Sequence, residues 1–363
     1  MTARVAEFAT FLRAWADTEL AGYCPLYETI ARALADDTAL LGRVAVVAPR
    51  EKIVPVLLFA AVKSLVDREP AGALARIYAE GAGDPWPPFR ALVDERFEEI
   101  AELLRTRRTQ TNEVGRASAV LPALAVAHAR LGRPLALVEL GPSAGLNLLF
   151  DRFAYDYGGG RVAGDPAATV RLTCEPKGPL RPPLPAVMPP IAMRCGIDLD
   201  PVDVTDDAQC RWLEACLWPG ARVRAERLRA ALALARQDPP LLHRGSAVER
   251  LPAVLDGVPP DTVPCVLTTW MLAYLSRDER GALARVVEVV ARRRDVACIT
   301  GEFTGVSPWT PPAPRPAAGA DGRLATLVGL SVWRAGTHEA RALCWMHSHG
   351  GWIDWLDAET SGA

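Results

Sequence analysis

The sequence lacks most of what would mark an exported, metal-holding or nucleic-acid-binding chain. Its eight cysteines form no C-x-x-C pair. Neither a zinc site nor a disulfide framework therefore finds its usual close, paired spacing. They read as buried thiols in a reducing compartment, and the protein is expected in the cytoplasm. The first twenty residues, "MTARVAEFATFLRAWADTEL", have no basic start followed by an apolar block, so no signal peptide is expected. No stretch is apolar for long enough to cross a bilayer. The run at 51–64, "EKIVPVLLFAAVKS", reads as a buried helix. Charge of one sign is missing too: 41 basic residues face 43 acidic ones, and no basic stripe invites nucleic acid. Gly and Pro are frequent but aperiodic, which excludes collagen and repeat arrays.

What is present is apolar residue, at 50% of 363 positions, enough for one large domain or two ordinary ones. Residues 1–130 carry helical spacing almost throughout, with Phe8, Leu12, Trp15 and Leu20 on one stripe and Leu92, Phe97, Ile100 and Leu104 on another. "EVGRASAVLPALAVAHARLG" reads as a helix ending at Gly132, and no strand is expected before 135. From 135 the pattern alternates. "PLALVEL" stops at Gly141 as a buried parallel strand would, and "LNLLFDRF" restarts a helix. Strands are expected at "ATVRLTC" (168–174), "IAMRCGIDLDP", "VPCVLTTWMLAYL" and "DVACITGEF", with helices between. Proline-rich loops are expected at 176–190 and 306–323. A closing hairpin turns around Gly336-Thr337-His338. The expected fold is α/β: a doubly wound, mostly parallel sheet with a mixed edge at 131–363, and a helical N-terminal region at 1–130.

One stretch carries two motifs. "LVELGPSAGLNLLF" (137–150) contains G-x-S-x-G at Gly141 to Gly145, the pattern of an α/β-hydrolase nucleophile turn. Read from Glu139 it is E-x-G-x-x-x-G, which resembles the first loop of class I S-adenosylmethionine (SAM) methyltransferases. Position favours the second. The loop follows what reads as the first strand of the sheet, and Pro142 restricts the backbone before Ser143. The histidines that follow (His243, His338, His347, His349) could complete a Ser-acid-His order by chance alone. In the cofactor reading Gly141, Ser143 and Gly145 approach the ligand, and Glu139 holds the methionine ammonium. Asp198 and Asp200, in "GIDLDP", are the candidates for the ribose hydroxyls. "LLHRGSAVERLP" (241–252) and "LTTWMLAYL" (267–275) resemble the third and fourth strands of such enzymes. Three features depart from the pattern: Pro142 and Ser143 replace flexible glycines, the interval from Gly145 to Asp198 is long, and Ser246 stands where an acid is expected.

"RTQTNEVGRASAVLPAL" (108–124), "LVELGPSAGLNLLFDRFAYDYG" (137–158), "MRCGIDLDPVDV" with "RWLEACLWPGARVRAERL", and the closing "HSHGGWIDWLD" together resemble the DUF2332 family of bacterial proteins. The resemblance covers most of the chain and implies a methyltransferase-like sheet without fixing an activity. It also suggests relatives among aziridine-forming enzymes of natural-product biosynthesis. These close a ring by intramolecular amine attack that expels sulfate and need no SAM.

Further candidates lie outside the loop. Gln110, Thr111, Asn112 and Glu113 form a polar cluster before an apolar helix. Either Thr111 or Asn112 caps that helix, with Glu113 near its positive end, or the cluster faces the Gly141 loop and touches a polar substrate. Arg116, one turn after Asn112, could bind an anionic group. Asn147 sits early in the expected helix, with Asp151 on the same side. Of Tyr155 and Tyr157, alternation expects one buried and one wet, and Tyr155 is the substrate-side candidate. His347 and His349 share a strand face, but no third metal ligand is evident and no metal is expected. Trp345, Trp352 and Trp355 read as a packing layer.

The function expected is that of an enzyme on a small molecule. The leading mechanism is methyl transfer from SAM through Glu139, Gly141, Ser143, Gly145, Asp198 and Asp200. The first alternative is a cofactor-independent enzyme in which Glu113 or Glu139 takes a proton from an amine, while Arg116 and the helix after Gly145 hold an anionic leaving group. The second is a non-catalytic binding subunit. A partner subunit could complete the pocket.

Overall fold

The computed structural model describes residues 2–49, 54–314 and 325–362. The chain divides into two compact units, Met1–Thr111 with Asp206–Glu226, and Asn112–Thr205 with Arg227–Ala363.

The first unit is helical. Seven α-helices run between Ala3 and Thr106 among its described residues, and Asp207–Ala215 joins them. Polar side chains set their starts: Thr2 accepts from the Val5 N–H, and Asp37 from the Leu40 N–H at 2.8 Å. Leu12, Trp15 and Leu20 of the expected stripe are buried, and Trp15, Tyr27 and Phe59 meet at ring separations of 5.2 and 4.7 Å. The single helix expected through "FRALVDERFEEIAELLRTRR" is broken at Arg96 (φ −113°, ψ 27°) into Trp86–Glu95 and Phe97–Thr106. The helix expected at 51–66 spans Val54–Val66, and residues 51–53 lie outside the described ones.

The second unit holds the sheets. In chain order the strands are β1 (Leu135–Leu140), β2 (Ala154–Asp156), β3 (Val162–Ala163), β4 (Arg171–Thr173), β5 (Glu175–Lys177), β6 (Ile191–Asp198), β7 (Leu241–Arg244), β8 (Val263–Thr269), β9 (Val296–Glu302), β10 (Ala325–Arg334), β11 (Thr337–His347) and β12 (Trp352–Trp355). Nine form one sheet in the order β5-β12-β11-β10-β9-β8-β1-β6-β7. The run β7-β6-β1-β8-β9 is parallel, and β10, β11 and β12 continue as an antiparallel meander. The large, mostly parallel sheet is as expected. Its apolar residues alternate: Ala136, Val138 and Leu140 join Cys195, Ile197, Val266 and Cys298 in a core covered by the helices Ala247–Asp256 and Arg277–Ala291. Leu135, Leu137 and Glu139 point to the other face.

Three local expectations change. No α-helix follows Gly145. Leu146–Arg152 is a seven-residue 3-10 helix, with Leu149 non-helical, and the chain passes into a small sheet of order β3-β2-β4 before returning to the large sheet, at its edge as β5 and then as β6. "ATVRLTC" supplies only Arg171–Thr173, to that small sheet. The closing hairpin turns on Ala335-Gly336, one position earlier than expected, because Arg334 pairs with Thr337 and both turn residues take positive φ (48° and 81°). Only residues 306–314 of the loop expected at 306–323 are described.

Candidate functional site

The turn after β1 is held from two sides. A bond from the Gly145 N–H to the Pro142 carbonyl closes it (2.8 Å), with Gly141, Ser143 and Gly145 all at positive φ (71°, 55° and 70°). The left-handed conformation at Ser143 is strained for a residue with a Cβ. It is maintained by Asp198, whose Oδ2 accepts the Ser143 N–H at 2.9 Å, and by the Val202 N–H donating to the Ser143 carbonyl at 3.0 Å. On the other side Asn112 Oδ1 accepts the Ala144 and Leu146 N–H groups, each at 3.2 Å. Those are donors for which a helical turn offers no internal partner, and Asn112 supplies one.

At the end of β1, Glu139 is 1% exposed. Burial pushes its carboxyl up to about 8; a hydrogen bond from Asn147 and the charge of Arg116 oppose the shift, and Asp198 adds to it. Glu139 Oε2, Asn147 Oδ1 and Ser143 Oγ are buried with no hydrogen-bond partner. A second acid, Glu302, ends β9. Its Oε1 accepts from Thr268 Oγ1 (3.2 Å) and from the Met271 and Leu272 N–H groups (2.9 and 3.0 Å), and burial raises its carboxyl as well. This carboxylate secures the turn after β8, where Trp270 sits at φ 60° with its ring 4.6 Å from Phe303.

Arg116 ties these turns together. Its Nε donates to the Ser348 carbonyl and its Nη1 to the Thr269 carbonyl, both at 3.1 Å, and the guanidinium lies 5.1 Å from the Trp270 ring. Glu113 is spent similarly. Its Oε1 accepts the Gly115 N–H at 3.0 Å and lies 3.6 Å from Arg227 Nη1, while Oε2 lies 3.2 Å from His349 Nδ1. Gly115 cannot carry a side chain here, since a Cβ would stand 2.2 Å from the His349 carbonyl oxygen.

The structure thus gathers Asn112, Glu113, Arg116, Glu139, Gly141, Ser143, Gly145, Asn147 and Asp198 around the carboxyl ends of β1, β6 and β8. Glu113, not Thr111 or Asn112, caps the turn Val114–Arg116 that leads into the helix Ala117–Leu131. Asp200 pairs with Arg244 at 2.6 Å on an exposed edge. Asp151, expected on the same side as Asn147, pairs with Arg194 at 2.8 Å. Both tyrosines are buried, correcting the expected alternation: the Tyr155 hydroxyl donates to the Phe150 carbonyl and that of Tyr157 to the Ser118 carbonyl, each at 2.6 Å. Gln110 is half-buried and belongs to the helical unit. A cavity of about 290 Å³ opens at the amino ends of β6 and β7, lined in part by Leu149, Met193, Arg194 and Asp238, away from the Glu139 end of β1. Sequence reasoning missed Glu302, Trp270 and Arg227, and assigned His349 no partner. Glu302 carries the same signal as Glu139, an acid at the end of an otherwise apolar strand.

These residues match SAM only in part. Glu139 stands where the methionine ammonium would need a carboxylate. Asp198, however, has one oxygen on the Ser143 N–H and the other on the Asp200 N–H (2.9 Å). A Cβ on Gly141 would stand 2.6 Å from Met271 Cγ, and one on Gly145 2.6 Å from Pro240 Cγ. The space that these glycines spare is filled by the protein itself.

Among known proteins, a family model described as "Uncharacterized protein conserved in bacteria (DUF2332)" matches residues 9–355. No curated protein matches the chain.

Proposed function

The chain belongs to the DUF2332 family, and from that premise, which carries no activity with it, we propose an enzyme that moves a proton on a small amine-bearing molecule without a nucleotide cofactor. The observation that carries this reading is Glu139. A carboxyl raised to about 8 is protonated at neutral pH yet close enough to its midpoint to exchange, which suits general acid–base work. Arg116 favours the charged form and Asn147 orients the carboxyl, so each step has a counter-charge and a fixed direction. The unpartnered atoms beside it are oxygens, the complement of N–H donors. The helix after Gly145 plays no part in holding an anion, being a short 3-10 turn whose Leu146 N–H is already on Asn112.

The test is calorimetry on the full chain. SAM is expected to give no heat of binding. A panel of small primary amines is expected to contain binders whose affinity falls at least tenfold in Glu139→Gln. An amine panel that never binds sinks the reading.

A second reading, methyl transfer from SAM, is favoured by the parallel order β7-β6-β1-β8-β9, which places the first strand centrally and Glu139 at its end. It requires Met271 and Pro240 to move from the glycine turn. Micromolar SAM binding, lost in Asp198→Asn, would favour it over the first.

A further inference from the structure

Glu113 and His349 form a pair that the reading above does not use. Glu113 is almost wholly enclosed, with 3% of its side chain exposed, whereas His349 keeps 19%. The other carboxylate oxygen is held by the Gly115 N–H and by Arg227. The backbone of His349 is fixed as firmly. Its N–H donates to His347 Nδ1 at 3.2 Å, its carbonyl accepts from Arg227 Nη1 at 3.5 Å, and the next residue, Gly350, has φ 73° with the Gly115 carbonyl so close that a Cβ would stand 1.9 Å from it. The ring packs edge-on against His347 at 5.3 Å. The charged and titratable groups facing His349 include Glu113, Arg227, His347 and, through the neighbouring Ser348 carbonyl, Arg116.

We propose that His349 is a second proton-transfer residue of this site, with Glu113 as the residue that positions it. The Glu113 carboxylate, 3.2 Å from Nδ1 though not aligned with it as a hydrogen bond, favours a proton on that nitrogen by its charge and so leaves the Nε2 lone pair to accept a proton from a substrate N–H. The imidazolium so formed is stabilised by Glu113, and the proton returns from Nε2 in the reverse step. Glu113 thus acts through His349 and not on the amine directly. The inference rests on the proton-transfer reading but is tested apart from it.

The experiment uses the full chain with nitrogen-15-labelled histidine, its five ring signals assigned with His349→Gln. At pH 8 the His349 ring is expected with its proton on Nδ1 and Nε2 bare. In Glu113→Gln its titration midpoint is expected to fall by about one pH unit, because a negative neighbour favouring the imidazolium is gone. His347→Gln is expected to leave that midpoint within a few tenths of a unit. A proton on Nε2 in the wild-type chain overturns the proposal without any variant, as does a midpoint that Glu113→Gln leaves in place. Failure of every amine to bind, with the tautomer as expected, counts against the role of Glu139 and not against the pair.

Discussion

Glu139 is where chemistry and stability meet on one side chain. Its carboxyl is held near 8 in the folded chain against an ordinary 4.5, so folding binds a proton. The stability linked to it is complete below the unfolded value and is lost as pH rises through about 8. Glu302, raised in the same direction, adds to the trend. Glu139→Gln is expected to flatten the decline between pH 5 and 8 and to leave the variant more stable at pH 8 by roughly 2–4 kcal/mol. Urea denaturation across that range checks it, and parallel curves would contradict the buried-acid account. Gly115 gives a second test at this scale. An added Cβ meets backbone, the His349 carbonyl, as well as the end of the Arg227 side chain, and the backbone cannot give way cheaply. Gly115→Ala is expected to cost at least about 3 kcal/mol and to disturb the His349 ring signal, whereas Gly132→Ala, which meets nothing within 4 Å, should cost only the strain of its positive φ.

Two elements depend on interactions that span the chain. The turn after β1 keeps its course because Asn112 Oδ1 takes two N–H groups of the turn. Asn112→Ala leaves both buried donors unpaired and is expected to cost about 2–4 kcal/mol. Amide exchange at Ala144 and Leu146 should accelerate more than at β1 itself; equal protection would mean that Asn112 is incidental. The β10–β11 hairpin is less well served. Its turn places Ala335 at φ 48°, where a Cβ is unfavourable. Ala335→Asn is expected to stabilise by about 0.5–1 kcal/mol, read as a higher urea midpoint with an unchanged slope. Both turns show the same limit of sequence reading. "GPSAGLNLL" has helical spacing, yet the chain there takes a 3-10 path within a turn held by Asn112, Asp198 and Val202, all distant in sequence.

For the whole molecule, the cysteines report on packing. Seven of the eight are buried and Cys216 is half-buried, and burial raises the thiols of Cys174, Cys195, Cys216 and Cys265 to about 11–12. Such thiols carry little thiolate at neutral pH. Iodoacetamide is expected to label the native chain slowly and all eight positions once urea unfolds it, as mass spectrometry would count; rapid native labelling would show the packing to be looser. Residue patterns alone were enough for most of the strand–helix alternation after 135, for "LALVEL" as a buried parallel strand, for the hairpin and for the absence of early strands among the described residues. Each of these follows from local periodicity, which burial on one face or both enforces wherever the segment ends up. The polar cluster before Ala117 and Glu139 were also legible, because an acid or amide beside an apolar run stands out in one dimension. What the tertiary structure alone decided is which partner each of these groups meets. Asp198 holds the Ser143 N–H across 55 residues, Arg116 reaches the Ser348 carbonyl across 232, and Glu113 lies against His349. Contacts at such separations depend on how strands order in the sheet and how turns stack at its carboxyl end, and no local pattern encodes that.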